Sequence, residues 1–218
     1  VVSKDCTAHL PIEMAWSENS FLRAQNFVNI INESNIKLKK DLKHLDIGGY
    51  QGLFGWALSK IYSSNPFLSD YSEDGLAFAK KYLDMKAIKQ DILFDEVVEK
   101  FEIISLVQVL EHVTNPVNFL LDIREKLIAN DGYIFIEVPN IYKFPLTDPA
   151  HLSDFSKNSL MTILKNTGFE SIKIKTHGYP QLENFDNFEH TISVIAKPVE
   201  STSINPQKKH ERSNFLLK

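Results

Sequence analysis

Cysteine occurs once in the 218 residues, at Cys6. A lone cysteine excludes an internal disulfide framework and a cysteine-cluster zinc site, and it points to a reducing, cytoplasmic compartment. No apolar run approaches the roughly 18 residues of a membrane span, and no basic-then-apolar secretion signal opens the chain. A strong excess of either charge is also missing. Twenty-four basic against 28 acidic residues leave a net charge of −4, so a general polyanion-binding face is not expected, although a local basic patch is not excluded. The start at Val1-Val2 without methionine reads as an excerpt of a longer protein. Glycine is scarce, with eight residues where an ordinary chain carries about 7%. Four of the eight, Gly48, Gly49, Gly52 and Gly55, fall within eight consecutive positions, and scarcity elsewhere makes that cluster a signal.

The residues that are present, 43% hydrophobic and 24% charged, suit one large domain or one domain with an appendage. The spacing of Phe21, Leu22, Gln25, Val28 and Ile31 predicts a helix over 17–35, ended by an Asn/Ser breaker. Lys43–Ile47 is a short strand that runs into the glycines, and Leu53–Tyr62 follows as a helix. Asn65–Asp70 reads as a strand, and Glu73–Leu83 as a helix capped by Ser72 or Asp70. Ala87–Gln90 is a weak strand followed by a polar loop after Asp91. Phe101–Val107 is apolar and β-branched, as a strand covered on both faces should be. Asn115-Pro116 opens a helix that Asp131-Gly132 closes, and Tyr133–Val138 is a strand stopped by Pro139. Ser156–Thr167 is a helix ended by Gly168, and Phe169–Thr176 and His190–Lys197 are the last strands.

Alternating strands and helices predict a doubly wound, Rossmann-like α/β fold of seven strands. The last two strands lack a helix between them and are expected to pair antiparallel. The polar, proline-broken residues 199–218 are expected to form a mobile tail; its basic run Lys208-Lys209-His210-Glu211-Arg212 reads as solvated.

The glycine turn reads Asp46-Ile47-Gly48-Gly49-Tyr50-Gln51-Gly52. It fits neither G-x-G-x-x-G nor the lysine and hydroxyl pair of a P-loop, so nicotinamide, flavin and nucleoside-triphosphate binding lose ground. It resembles motif I of the class I S-adenosylmethionine-dependent methyltransferases, D/E-x-G-x-G-x-G, with Tyr50 in place of the middle glycine. Farther along, Phe101-Glu102-Ile103-Ile104 and Val109-Leu110-Glu111-His112-Val113-Thr114-Asn115-Pro116 are similar to the F-D-x-I and V-L-E-H-V-x-x-P signature of one large branch. That branch includes quinone O-methyltransferase-like and small-molecule methyltransferases. Ile136-Glu137-Val138-Pro139-Asn140 follows, then His151, Phe155, Ser156, Leu160, Leu164, Gly168 and Phe169 in the order H-x-x-x-F-S, L, L, G-F. The resemblance covers residues 42–197.

The resemblance implies a methyltransferase domain over 42–198, with residues 1–41 as an N-terminal helical lid. It implies S-adenosylmethionine as donor, a small-molecule acceptor, no nucleic-acid partner, and a monomer or homodimer. The implied donor site is Asp46, Gly48, Gly49, Tyr50, Gly52, Asp70, Tyr71, Asp91, Ile92 and Gln108. Within the turn, Gly48 and Gly52 are the expected donor-binding pair, while Gly49 and Gly55 serve turn geometry and close helix packing. Asp70 stands where a carboxylate accepts both ribose hydroxyls, a role compatible with helix capping, and Asp91 where an acid faces the adenine amino group. Asp46 either lies near the methionine end of the donor or hydrogen-bonds turn amides.

Gln108, Glu111, His112, Tyr142, His151 and Asp154 are the acceptor-side candidates, with Glu111, His112 and His151 as the catalytic set. Histidine is the natural base near neutral pH. The L-E-H-V sequence recurs among members with very different substrates, which favours positioning or capping for Glu111 and His112. His151 either meets the acceptor or packs its loop onto the core. Phe144, Tyr142 and Tyr179 could line an acceptor pocket. In quinone O-methyltransferases of the branch, E-x-x-E-H supplies metal ligands; here Gln108 takes the first position, so a metal is not favoured, though not excluded. The alternatives are a non-catalytic methyltransferase-like binding module, kept open by Tyr50, and a nucleic-acid methyltransferase. Net charge −4 and the lack of an N-P-P-Y motif or catalytic cysteine motif disfavour the latter.

Overall fold

The computed structural model describes residues 17–90, 93–96, 99–143, 149–178 and 189–199. In chain order the elements are α1 (Ser17–Glu33), β1 (Lys43–Ile47), α2 (Leu53–Tyr62), β2 (Asn65–Asp70), α3 (Glu73–Tyr82), β3 (Lys86–Lys89) and the short α4 (Leu93–Glu96). They continue with β4 (Phe101–Val107), a 3-10 turn at Leu110–His112, α5 (Pro116–Asp122), β5 (Ile128–Pro139), α6 (Lys157–Asn166), β6 (Phe169–His177) and β7 (Thr191–Pro198). The seven strands run in the order β3-β2-β1-β4-β5-β7-β6. As expected, β7 pairs antiparallel with β6, and it pairs antiparallel with β5 as well. The expected tail beyond residue 199 lies outside the described residues. Among the described residues no helix is long and apolar enough to cross a membrane.

The chain divides into two compact units, one ending at Leu93 and the other starting at Phe94. In the first, β1 pairs parallel with β2 and β2 with β3. Leu45, Ile47 and Leu68 are buried in these strands. Helix α1 lies where the spacing put it, but its inward face differs: Leu22 is 44% exposed, Gln25 is exposed and Val28 is half-buried, while Phe21 and Ala24 are buried. Phe27, Ile30 and Ile31 are buried, and α1 meets α2 through edge-to-face pairs of Phe21 with Trp56 and Phe27 with Phe54, centroids 5.5 and 6.5 Å apart. Asn35, beyond its end, takes left-handed backbone at φ 55°, which asparagine tolerates better than most residues.

In the second unit β4 and β5 pair parallel. Asn115 caps α5, its side chain accepting from the Asn118 N–H with Pro116 at the first helical position. Helix α6 carries a capping box between Ser156 and Ser159 and ends before Gly168 at φ 79°.

One boundary needs correction. Asp131-Gly132 does not close a helix: α5 ends at Asp122, a π turn covers Ile123–Leu127, and β5 already begins at Ile128. Phe101 pairs with Ile128 and Ile103 with Tyr133, so β4 advances two residues while β5 advances five. The three surplus residues bulge out. A Cβ on Gly132 would lie 3.0 Å from both Phe101 O and Ala129 O, so crowding in the bulge, not a helix cap, calls for glycine there. The polar loop expected after Asp91 likewise contains the helical turn α4.

Candidate functional site

In the first unit the glycine turn follows β1. Gly48 at φ 71° and Gly52 at φ 76° adopt left-handed backbone that glycine reaches without steric cost. Tyr50 adopts it too, at φ 51°, despite its side chain. The turn is locked by three main-chain bonds: Gly48 N–H to Ser69 O at 2.7 Å, Gly52 N–H to Gly49 O at 2.8 Å and Trp56 N–H to Gly52 O at 2.9 Å. Asp70, at the end of β2, receives the Tyr50 N–H on Oδ2 at 2.7 Å and the Ser72 N–H on Oδ1 at 2.8 Å. These are charge-assisted bonds, stronger than neutral ones. The cap of α3 is therefore Ser72, whose hydroxyl accepts from Gly75 N–H at 3.1 Å, and Asp70 braces the glycine turn.

Asp46 is fully buried. Its Oδ2 accepts from the Gly55 N–H at 3.3 Å, an amide in the first turn of α2. No side chain at the cap residue Gly52 does this work, and a carboxylate at a helix N-terminus opposes the macrodipole favourably. The carboxylate thus bonds an amide of the helix that follows the turn. Gly49 lies so close that a Cβ there would come within 2.8 Å of Asp46 Cγ and 2.9 Å of Leu68 Cδ1. Tyr50 and Tyr71 expose 56% and 38% of their surface beside this turn. Asp91 and Ile92 lie outside the described residues, as do Phe144 and Tyr179. A residue not anticipated from sequence is Gln90, which is buried and accepts from the Ser69 hydroxyl at 3.1 Å.

In the second unit, Gln108 follows β4 in left-handed backbone at φ 56°. Its N–H donates to Glu137 O at 2.8 Å and its side-chain amide to Glu137 Oε1 at 3.3 Å. Glu137 on β5 is fully buried, with the Ser193 hydroxyl 3.3 Å from its Oε2. Ser193 Oγ is also 2.7 Å from His177 Nε2. This network of Gln108, Glu137, Ser193 and His177 was missed, although Glu137 stands out as an acid inside the apolar run Ile134–Val138. Asn140, just past β5, is buried and donates its side-chain amide to Glu189 O at 2.8 Å.

Glu111 and His112 occupy the 3-10 turn after Gln108. Glu111 is 1% exposed, and its main-chain carbonyl accepts the N–H groups of Leu152 and Ser153 at 2.8 and 3.1 Å. Those bonds clamp the 150–153 segment to the turn and bring in His151. The His112 and His151 rings meet edge to face with centroids 4.9 Å apart. His112 Nδ1 lies 2.9 Å from Ala150 O; a carbonyl only accepts, so Nδ1 carries a proton, and in the neutral ring Nε2 holds the lone pair. Side-chain ligand atoms of Glu111, His112 and His151 all fall within 4.8 Å of one another. Asp154 and Tyr142 are exposed.

Residues 21–174 match the family described as a methyltransferase domain. The chain belongs to the class I S-adenosylmethionine-dependent methyltransferases. The family's donor and cofactor is S-adenosylmethionine. Among solved structures, this methyltransferase is similar to a SAM-dependent methyltransferase from Aquifex aeolicus, with a TM-score of 0.64, 15% identity, and coverage of 84% of this chain and 93% of that one. Magnesium protoporphyrin IX methyltransferase from Synechocystis, solved with bound SAH, gives a TM-score of 0.60 at 14% identity over 83% of this chain and 84% of that one. A methyltransferase of Haloferax volcanii, solved in complex with its activator Trm112, gives 0.62 at 11% identity over 84% and 98%. At these identities the likeness is one of fold. No curated protein sequence matches significantly.

Proposed function

We propose that this methyltransferase moves a methyl group from S-adenosylmethionine to a small-molecule acceptor, at oxygen, nitrogen or carbon. The observation that carries the reading is the turn after β1, with Gly48 and Gly52 left-handed and the Tyr50 amide tied to the carboxylate that ends β2. Left-handed glycines let a ligand approach main-chain N–H groups with no Cβ between. An acid at the end of the second strand suits ribose hydroxyls. Asp70 fits that role, because it is half-buried and each of its oxygens has lone pairs beyond the amide it already accepts. Asp46, Gly48, Gly49, Tyr50, Gly52, Asp70 and Tyr71 form our donor set, with Asp91 and Ile92 assigned to adenine and Gln108 to the neighbourhood of the transferred methyl.

When bound, the donor supplies a methyl carbon on a cationic sulfonium: the acceptor–carbon bond forms as the carbon–sulfur bond breaks, and sulfur keeps the electron pair. The chain's own residues align the acceptor, exclude water and, for a hydroxyl acceptor, provide for its proton. We assign the acceptor side to Glu111, His112 and His151, where an imidazole lone pair stands beside a buried carboxylate.

Calorimetric titration with S-adenosylhomocysteine tests donor binding, and a labelled methyl donor with pooled metabolite extract tests transfer. The absence of both heat of binding and thermal shift at millimolar ligand overturns the reading. The alternative is a non-catalytic methyltransferase-like module, favoured by a tyrosine where the family pattern has glycine. Donor binding without transfer to any extract would select it.

A further inference from the structure

We propose that Glu111, His112 and His151 form a binding site for one first-row divalent cation such as Zn²⁺, Fe²⁺, Co²⁺ or Mn²⁺. The sequence argued against a metal because Gln108 replaces the first carboxylate of E-x-x-E-H. The fold brings in a different third ligand, His151, from a loop that motif does not include. Among the described residues, these three side chains place one ligand atom each within 4.8 Å of the other two. Two imidazoles and one carboxylate suit first-row transition ions, whereas Mg²⁺ and Ca²⁺ favour all-oxygen sets.

The site is held in place before any ion arrives. Leu152 and Ser153 N–H groups bond to the Glu111 carbonyl, so the His151 loop and the Glu111-His112 turn are stapled through main chain. His112 donates Nδ1–H to Ala150 O, the outer-shell bond that fixes a ligating imidazole's tautomer and directs Nε2 to the metal. Glu111 is 1% exposed, and a carboxylate withdrawn from water is well suited to a cation that neutralises it. Three protein ligands leave further coordination positions for water or an acceptor oxygen. With a cation bound, the three side chains serve as ligands, and acidification of a coordinated hydroxyl would fall to the ion. Cation binding at these residues does not depend on the methyl-transfer reading.

The test uses the full chain without an affinity tag, stripped with chelator and titrated with Co²⁺ while visible absorption is followed. One equivalent should give a saturable ligand-field band. His151→Ala, His112→Ala and Glu111→Gln should each weaken binding at least about tenfold, and His210→Ala should leave it intact. Melting of each variant in chelator identifies any that has failed to fold, and the His151→Ala result decides if Glu111→Gln is lost in this way. No band at millimolar Co²⁺ overturns the proposal, as does a band that survives His151→Ala or disappears with His210→Ala. Because the readout needs no donor, a failure here is separate from a failure to bind S-adenosylhomocysteine.

Discussion

The main-chain N–H of Tyr50 donates to Asp70 Oδ2 at 2.7 Å, across 20 residues of sequence. One carboxylate thereby fixes the tip of the glycine turn and, through Ser72 N–H at 2.8 Å, the entry to α3. Asp70→Asn keeps the size but can offer only one acceptor oxygen, so one amide loses its partner. The expected outcome is destabilisation by about 1–3 kcal/mol, measured by urea unfolding, and at least about tenfold weaker S-adenosylhomocysteine binding by calorimetry. Unchanged affinity would remove Asp70 from the donor set.

Tyr50→Gly separates backbone from side chain at the same turn. Left-handed backbone costs a non-glycine residue roughly 1–2 kcal/mol, and glycine's added freedom in the unfolded chain costs about 0.5–1 kcal/mol. The two nearly cancel, so stability should change by no more than about 1 kcal/mol. Affinity for S-adenosylhomocysteine is then the informative measurement. A gain identifies the tyrosine ring as an obstacle at the donor's methionine end, while a loss of tenfold or more assigns it a contact.

Gly49→Ala tests why the turn has a second glycine. Gly49 is not left-handed, so backbone strain is not the issue. The added methyl would meet buried Asp46 and Leu68 at 2.8 and 2.9 Å. Overpacking of this kind should cost about 1–3 kcal/mol, visible as a lower urea midpoint with unchanged slope. A neutral substitution would mean that the Asp46 carboxylate is free to shift.

Legibility in the sequence followed the range of the interaction. The strand before the glycines, α2, the Asn115-Pro116 start and the Gly168 stop were readable because their causes lie within four or five residues. Asp131-Gly132 misled because the same dipeptide suits a helix end and a bulge, and pairing of Phe101 with Ile128 decides between them. The glycine turn was legible from its spacing, but its lock needed Asp70, 20 residues on. The nearness of His151 to His112 was not legible; the link between them runs through Ala150, 38 residues from His112. Ser193 and Glu137, 56 residues apart, left no local trace beyond an acid in an apolar strand.

His44 makes stability pH-dependent with a definite sign. It is fully buried on β1, its ring edge-to-face with Phe54 at 6.0 Å, and burial lowers its pKa from 6.5 to about 3. Above pH 6.5 neither the folded nor the unfolded chain binds this proton. Between 6.5 and about 3 the unfolded chain binds it and the folded chain does not, so stability falls as pH falls through that window and levels off below it. The slope approaches about 1.4 kcal/mol per pH unit for one such group. His44→Leu removes the titration while keeping an apolar-sized side chain, and any contact it loses shifts the whole curve without changing its slope. Urea unfolding from pH 8 to 4 should give a shallower acid limb for the variant, the two curves diverging in slope below about pH 6.5. Parallel curves over that range would show that His44 takes up its proton in the folded state.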